Sequence, residues 1–255
     1  MNKSALLLAE KTNYLNKDIQ YLSNVNIVEW DIHAAGFSAL KFRKLLPEKT
    51  LEEWSKLDKH TRTVREGLLQ KERPDIAKAI LDTLADARQA FIYANNISSE
   101  SILSIKKDAL FLINQKPKVS VIKEFEFRPK GEYTSYLYIN GKEFYYSSKT
   151  DSLDIKGLSE ESKELQKDYL LKDIAKILRT TERVGRNQIF ETLKQYRSKY
   201  LNRQLSADTY RSLDEEGLFR IGNYTFKNIS DDMVEYLDIS QNYVNYLLPL
   251  FNAIL

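Results

Sequence analysis

The sequence predicts an α+β fold, with segments of helical period separated from a β-rich block rather than alternating with single strands. Apart from one short apolar run at residues 26–32, helical patterning fills the first ninety-odd residues. β-prone runs then crowd residues 101–147, and helical patterning returns from residue 159. There is no internal repeat and no low-complexity segment.

In chain order, Ser4 stands at an N-cap position ahead of Leu7, Leu8, Tyr14, Leu15 and Leu22, so a helix is expected from residue 4 to about 22. The run Asn26-Ile27-Val28-Glu29-Trp30-Asp31-Ile32 reads as a short buried strand ending on an acid. A helix follows from Ala34 to Leu45 and stops at Pro47. Thr50, with Glu53 three residues on, is expected to cap one helix running from Leu51 to Lys71 through Trp54, Leu57, Val64 and Leu68. Pro74 or Asp75 opens another, Ile76 to Tyr93, ended by Asn95-Asn96. Ser101–Ile105 and Ala109–Ile113 then flank the tight charged turn Lys106-Lys107-Asp108. Further strands are expected at Val119–Phe127, Tyr133–Ile139 and Glu143–Ser147, with Asn140-Gly141 as a hairpin turn. Leu218–Phe226 interrupts the C-terminal helical block.

A chain of 255 residues with 29% charged and 42% hydrophobic side chains excludes collagen, mucin-like, largely disordered and coiled-coil classes. Eight Gly and five Pro leave little linker material, while 16 Tyr and 11 Phe supply a core. With no Cys, a disulfide framework, a thiolate zinc site and a Cys nucleophile are excluded. His33 and His60 are too few for a His-rich metal site, so any metal would sit on carboxylates, which select magnesium or manganese. The apolar stretch Ala5–Ala9 ends at Glu10 and Lys11, too early for a signal peptide, and no run is long enough to span a membrane. A soluble cytoplasmic protein with no membrane partner is the expectation.

The net charge of +3 says little, but its distribution is uneven. Residues 171–203 carry nine basic side chains, Arg179, Arg183 and Arg186 among them, against three acids; from Asp208 onward eight acids face three basic residues. The basic segment reads either as a phosphate-binding surface or as a solvated helix face, and the acidic part as a shield, competitor or protein-partner surface.

The chemistry-bearing pair is Asp31 and Asp108. Each lies beside an apolar β-prone run, where a charge costs stability unless it is solvated, paired or metal-bound. On neighbouring strands the two carboxylates would converge and could hold two divalent cations for in-line phosphoryl transfer; the alternative is a pair of turn formers. Lys59, Arg62 and Arg65, three residues apart, would wind around part of a helix as phosphate donors or as a solvated face. The tyrosines at 133, 136, 138, 145 and 146 would either interleave with Lys142, Lys149 and Lys156 along a nucleic-acid backbone or cover a sheet.

The order of these segments resembles the palm domain of template-dependent nucleic-acid polymerases, most closely the viral and phage-type family B DNA polymerases. Asp31-Ile32-His33-Ala34-Ala35-Gly36-Phe37-Ser38 is similar to their motif A, and Ile102–Phe111, with Asp108 in its turn, to motif C. Lys59–Gly67 falls where a fingers helix would grip a triphosphate, and Tyr136-Leu137-Tyr138 through Asp154-Ile155-Lys156-Gly157 resembles the palm segment that touches the primer. The resemblance covers about residues 26–160. It implies an N-terminal helix at 1–25, a palm at 26–40 and 97–158, fingers at 41–96, and a helical thumb at 159–255 with an acidic C-terminal part.

The implied activity is two-metal-ion addition of nucleotides to a nucleic-acid 3′ end, with nucleic acid and nucleoside triphosphates as partners. Asp31 and Asp108 would bind Mg2+ or Mn2+. Lys59, Arg62, Arg65, Gly36 and Phe37 would meet the nucleotide, and Lys156, Arg179, Arg183 and Arg186 the nucleic acid. Two departures stand out. Motif C carries one acid, with Lys106 where a second usually lies, and Gly36 replaces the bulky residue that excludes a ribose 2′-hydroxyl. Weak sugar discrimination is therefore expected, and the chain has no room for a proofreading domain. The rival is a catalytically silent polymerase-derived protein that binds nucleic acid or a protein partner.

Overall fold

The computed structural model describes residues 3–139, 141–157, 175, 178–179, 186–210, 218–240 and 244. The chain divides into two compact units, one of Met1–Asp18 with Asn26–Glu132, the other of Ile19–Val25 with Tyr133–Leu255. Both mix helices with antiparallel sheet, and the α+β class holds. The division falls between residues 132 and 133, inside the stretch 97–158 that the resemblance treats as one segment.

The first unit contains α1 (Lys3–Ala9), β1 (Asn13–Leu15), β3 (Ile27–Ile32), α2 (Ala35–Phe42), α3 (Glu48–Ser55), α4 (Lys59–Glu72), α5 (Pro74–Ala94), β4 (Ile102–Lys106), β5 (Ala109–Ile113), β6 (Val121–Ile122) and β7 (Phe125–Tyr133); β2 (Tyr21–Leu22) belongs to the second. Six strands form a sheet in the order β1-β4-β5-β3-β7-β6. β3 and β4 are each antiparallel to β5, which lies between them, so they run in the same direction with α2–α5 as their connection. This is a split βαβ unit, and it brings the C-terminal end of β3 beside the β4–β5 turn.

Alternation along β3 sends Trp30 and Ile32 to one face and Glu29 and Asp31 to the other. The apolar face packs on α5, which begins with Pro74 and carries Ile76, Ile80, Leu84, Ala87 and Phe91 at helical spacing. The Phe91 ring stacks on Phe127 at 4.0 Å and lies 5.7 Å from Trp30.

Three expectations are corrected. The N-terminal helix ends at Ala9, because sheet edges claim the residues beyond it: Tyr14 pairs with Ile105 and Tyr21 with Leu137. The long helix from Leu51 is two helices. Asp58, not Thr50, is a cap, its carboxylate accepting from the Thr61 N–H at 3.0 Å, while Thr50 lies inside α3. The strand from Val119 is a hairpin, turned at Lys123 with a left-handed φ of 55°.

The second unit holds β8 (Ser135–Ile139), β9 (Lys142–Ser147), β10 (Ser152–Lys156), α6 (Arg186–Leu201), β11 (Phe219–Ile221) and β12 (Tyr224–Phe226). Its main sheet is antiparallel in the order β10-β9-β8-β2. Ile139 pairs with Lys142, as a two-residue turn requires, and Gly141 has φ +81°. Leu137, Phe144, Tyr146, Ile155, Tyr200 and Tyr210 belong to its core. Tyr133, Tyr136, Tyr145 and Tyr146 are all buried, so these tyrosines build the sheet rather than interleave with lysines at its surface. Among the described residues no helix is long and apolar enough to cross a membrane.

Candidate active site

The split βαβ topology sets Asp31 next to the β4–β5 turn. Asp31 pairs with Ala109, and the Ile32 N–H donates to the Asp108 carbonyl at 3.2 Å, tying the strand end to the turn. Lys107 takes a left-handed φ of 50° to complete the turn. The Asp31 and Asp108 carboxyls are near enough to act on one another electrostatically. Burial, then Asp108, holds the Asp31 carboxyl above the usual carboxylate range, while Lys130 opposes them.

Two further residues complete the surroundings, and sequence reasoning missed both. Arg88 of α5 is buried at 1% exposure and grips the turn from within. Its Nε and Nη2 donate to the Ala9 carbonyl at 3.1 and 3.0 Å, its Nη2 to Lys11 at 3.0 Å, and its Nη1 to the Lys107 carbonyl. Burial pulls this guanidinium down to about 10, with the Asp108 carboxylate acting against the shift. Lys130 of β7 reaches the acid face of β3, its Nζ 3.5 Å from Asp31 Oδ2 and 3.7 Å from Glu29 Oε1. Burial lowers the affinity of that ammonium for its proton, but Asp31, Glu29 and Asp108 outweigh it. The alternation of Glu126, Arg128 and Lys130 with Phe125 and Phe127 marks a charged strand face, but not the strand it lies beside.

Among the described residues no three His, Asp or Glu side chains converge to hold a metal ion. Asp31 and Asp108 nevertheless offer an all-oxygen pair, and the Lys130 ammonium stands beside Asp31 as a cation would. Magnesium is commonly held in this way, by one or two carboxylates with water and substrate phosphates filling the other positions. The residues present fit such an ion.

The sequence-predicted nucleotide residues are brought together only in part. Gly36 has no side chain, and the Glu66 carboxylate fills the space a Cβ would take. Arg62 stacks over the Phe37 ring at 5.1 Å and lies 3.9 Å from Glu66 Oε1, so it is committed to this packing rather than free in a row with Lys59 and Arg65. Lys59 and Arg65 are exposed on α4. Burial pushes the Glu66 carboxyl up, and Arg62 offsets part of the shift. Phe37 also lines a cavity of about 470 Å³ with Lys41, Lys44, Glu48, Leu51 and Glu124.

The expected nucleic-acid contacts belong to the second unit. Lys156 Nζ lies 2.7 Å from Asp154 Oδ2, which also accepts from the Tyr133 hydroxyl at 3.1 Å. Gly157 follows at φ +92°, its missing Cβ leaving room for the Gly141 carbonyl. Arg179 pairs with Asp151 at 3.4 Å. Arg186 opens α6, whereas Arg183 and the Arg186 side chain lie outside the described residues.

A family model described as the bacteriophage PBS1 gene 130 protein matches residues 4–255. The chain belongs to that family. No curated protein matches it. For this bacteriophage PBS1 gene 130 family member the site itself carries the functional reading, because the family description names a phage gene product and no chemistry.

Proposed function

We propose that this family member is a polymerase-like nucleotidyltransferase that adds nucleotides to a nucleic-acid 3′ end, without proofreading and with weak sugar discrimination. The observation that carries the reading is the convergence of Asp31 and Asp108 at one end of a split βαβ sheet, with the helical block inserted between their strands. The palm resemblance implies that order, and the pairing of β3 with β5 supports it.

Asp31 and Asp108 would hold magnesium or manganese, which when bound lowers the pKa of a primer 3′-hydroxyl and offsets charge on the transferring phosphoryl group. The chain's own residues bind and orient. Arg88 fixes the backbone that presents Asp108. Lys59 and Arg65, exposed on α4, receive the triphosphate as charge-assisted donors, and Arg62 holds Phe37 and Glu66 in place beside Gly36. Lys156 and the arginines of the C-terminal segment hold the nucleic acid. No side chain need act as general base.

The test is extension of a labelled primed template with magnesium and then manganese, beside Asp31→Ala and Asp108→Ala. Metal-dependent extension lost in both variants is the expected result. Folded wild type that extends nothing overturns the reading. One observation favours a second reading, a silent polymerase-derived protein that binds nucleic acid or a protein partner: the lone acid of the turn lies near an ammonium, Lys130, already set against Asp31. Salt-dependent nucleic-acid binding without turnover would support it.

A further inference from the structure

Lys130 is an unusual neighbour for a pair of metal-binding acids. Its side chain is 59% exposed, whereas Glu29 is 4% and Asp31 29% exposed, so a solvent-accessible ammonium compensates carboxylates that are themselves largely withdrawn from water. Its distances of 3.5 and 3.7 Å are longer than the 2.7–2.9 Å or so of a tight charge-assisted hydrogen bond, so the field of the acids rather than a fixed bond holds it there. Arg128, two residues earlier in β7, is taken up by Glu126 at 2.6 Å, which leaves Lys130 as the β7 cation that reaches the acids.

We propose that Lys130 is the resident counter-ion of Glu29 and Asp31, which a divalent cation held by Asp31 and Asp108 must displace on binding, so that this lysine sets the metal concentration at which the site fills. The proposal rests on the reading of Asp31 and Asp108 as metal ligands. Its physical basis is exclusion of like charge: a divalent ion on Asp31 and an ammonium within about 4 Å repel each other, and displacing the ammonium gives up its attraction to Glu29 and Asp31. Removing the charge while keeping the aliphatic stem therefore tightens metal binding. About tenfold is the scale expected for one unit charge at this distance in a partly solvated site.

The experiment is a titration of the full chain with Mn2+ alone, followed by the electron paramagnetic resonance signal of the free ion. Wild type, Lys130→Met, Lys130→Gln, Lys130→Arg and Asp31→Asn are compared, each checked for folding by circular dichroism. The proposal expects Mn2+ binding by wild type that Asp31→Asn weakens, about tenfold tighter binding by Lys130→Met and Lys130→Gln, and nearly unchanged binding by Lys130→Arg. If Asp31→Asn weakens binding but neither neutral variant tightens it, the metal-site reading stands and the role of Lys130 is overturned. If no variant binds Mn2+, or Asp31→Asn binds as wild type does, the metal-site reading fails and the proposal falls with it.

Discussion

Replacing Arg88 by Met tests how the site is held. The guanidinium makes four donations to three carbonyls, those of Ala9, Lys11 and Lys107, and so ties the turn before Asp108 to the start of the chain. Each acceptor left without its donor in a buried setting costs about 1–3 kcal/mol. Methionine fills much of the volume and removes the cost of burying a cation, which offsets part of that loss. The net expectation is a destabilisation of roughly 3 kcal/mol for Arg88→Met. Arg88→Lys, which keeps the charge but reaches fewer carbonyls, should fall between that variant and wild type. Urea unfolding followed by tryptophan fluorescence is the assay, since the chain's two tryptophans, Trp30 and Trp54, both belong to the first unit. A lower midpoint at unchanged slope is the expected result. A loss below about 1 kcal/mol would refute the idea that this guanidinium anchors the turn.

Other perturbations reach the remaining residues. Because burial holds the Glu66 carboxyl above its ordinary value, the folded state favours its protonated form, and stability falls as pH rises from the ordinary glutamate range through the raised value. Glu66→Gln should therefore be more stable than wild type at pH 7, with the gain fading toward pH 4; urea midpoints at the two pH values measure it, and a less stable Gln variant at pH 7 would contradict it. Gly157→Ala would place a Cβ 2.7 Å from the Gly141 carbonyl at a φ of +92° and should cost about 1–3 kcal/mol, read as a lowered melting temperature; an unchanged one would show that the turn adapts. Weak sugar discrimination should appear as comparable incorporation of ribo- and deoxynucleotides. Strict use of deoxynucleotides would sink that expectation and point to Phe37, or to the Glu66 carboxylate filling the Gly36 space, as the selecting group.

The parts of the fold legible in the sequence are those where local and tertiary signals agree. β3, the β4–β5 hairpin and α5 each carry a clear period, a turn or Pro signal, and a face that the fold buries. Residues 10–25 misled because isolated apolar residues at near-helical spacing, Tyr14, Leu15 and Leu22, are claimed by strand partners more than a hundred residues away or close to it. The break before α4 hinges on one carboxylate, that of Asp58, within a stretch whose apolar period continues across it. Asp31 and Asp108 stood out in the sequence because acids beside apolar strands carry a cost, and the fold sets the end of β3 beside the turn that carries Asp108. Arg88, Lys130 and Glu66 could not, since each gains its role from a partner distant in sequence: Lys107 and Ala9, Asp31 and Glu29, and Gly36. Much of the basic segment lies outside the described residues, and its expected thumb role stays with the proposal.

The most direct measurement is single-nucleotide incorporation under saturating Mg2+ or Mn2+ by wild type, Asp31→Asn, Asp108→Asn and the double variant. Residues that act as one catalytic unit are strongly non-additive. The expected pattern is metal-dependent incorporation by wild type, near-complete loss in each single variant, and a double variant no worse than the poorer single one. Substantial incorporation by either folded single variant, or none by folded wild type, would contradict the claim that Asp31 and Asp108 form one nucleotidyl-transfer centre.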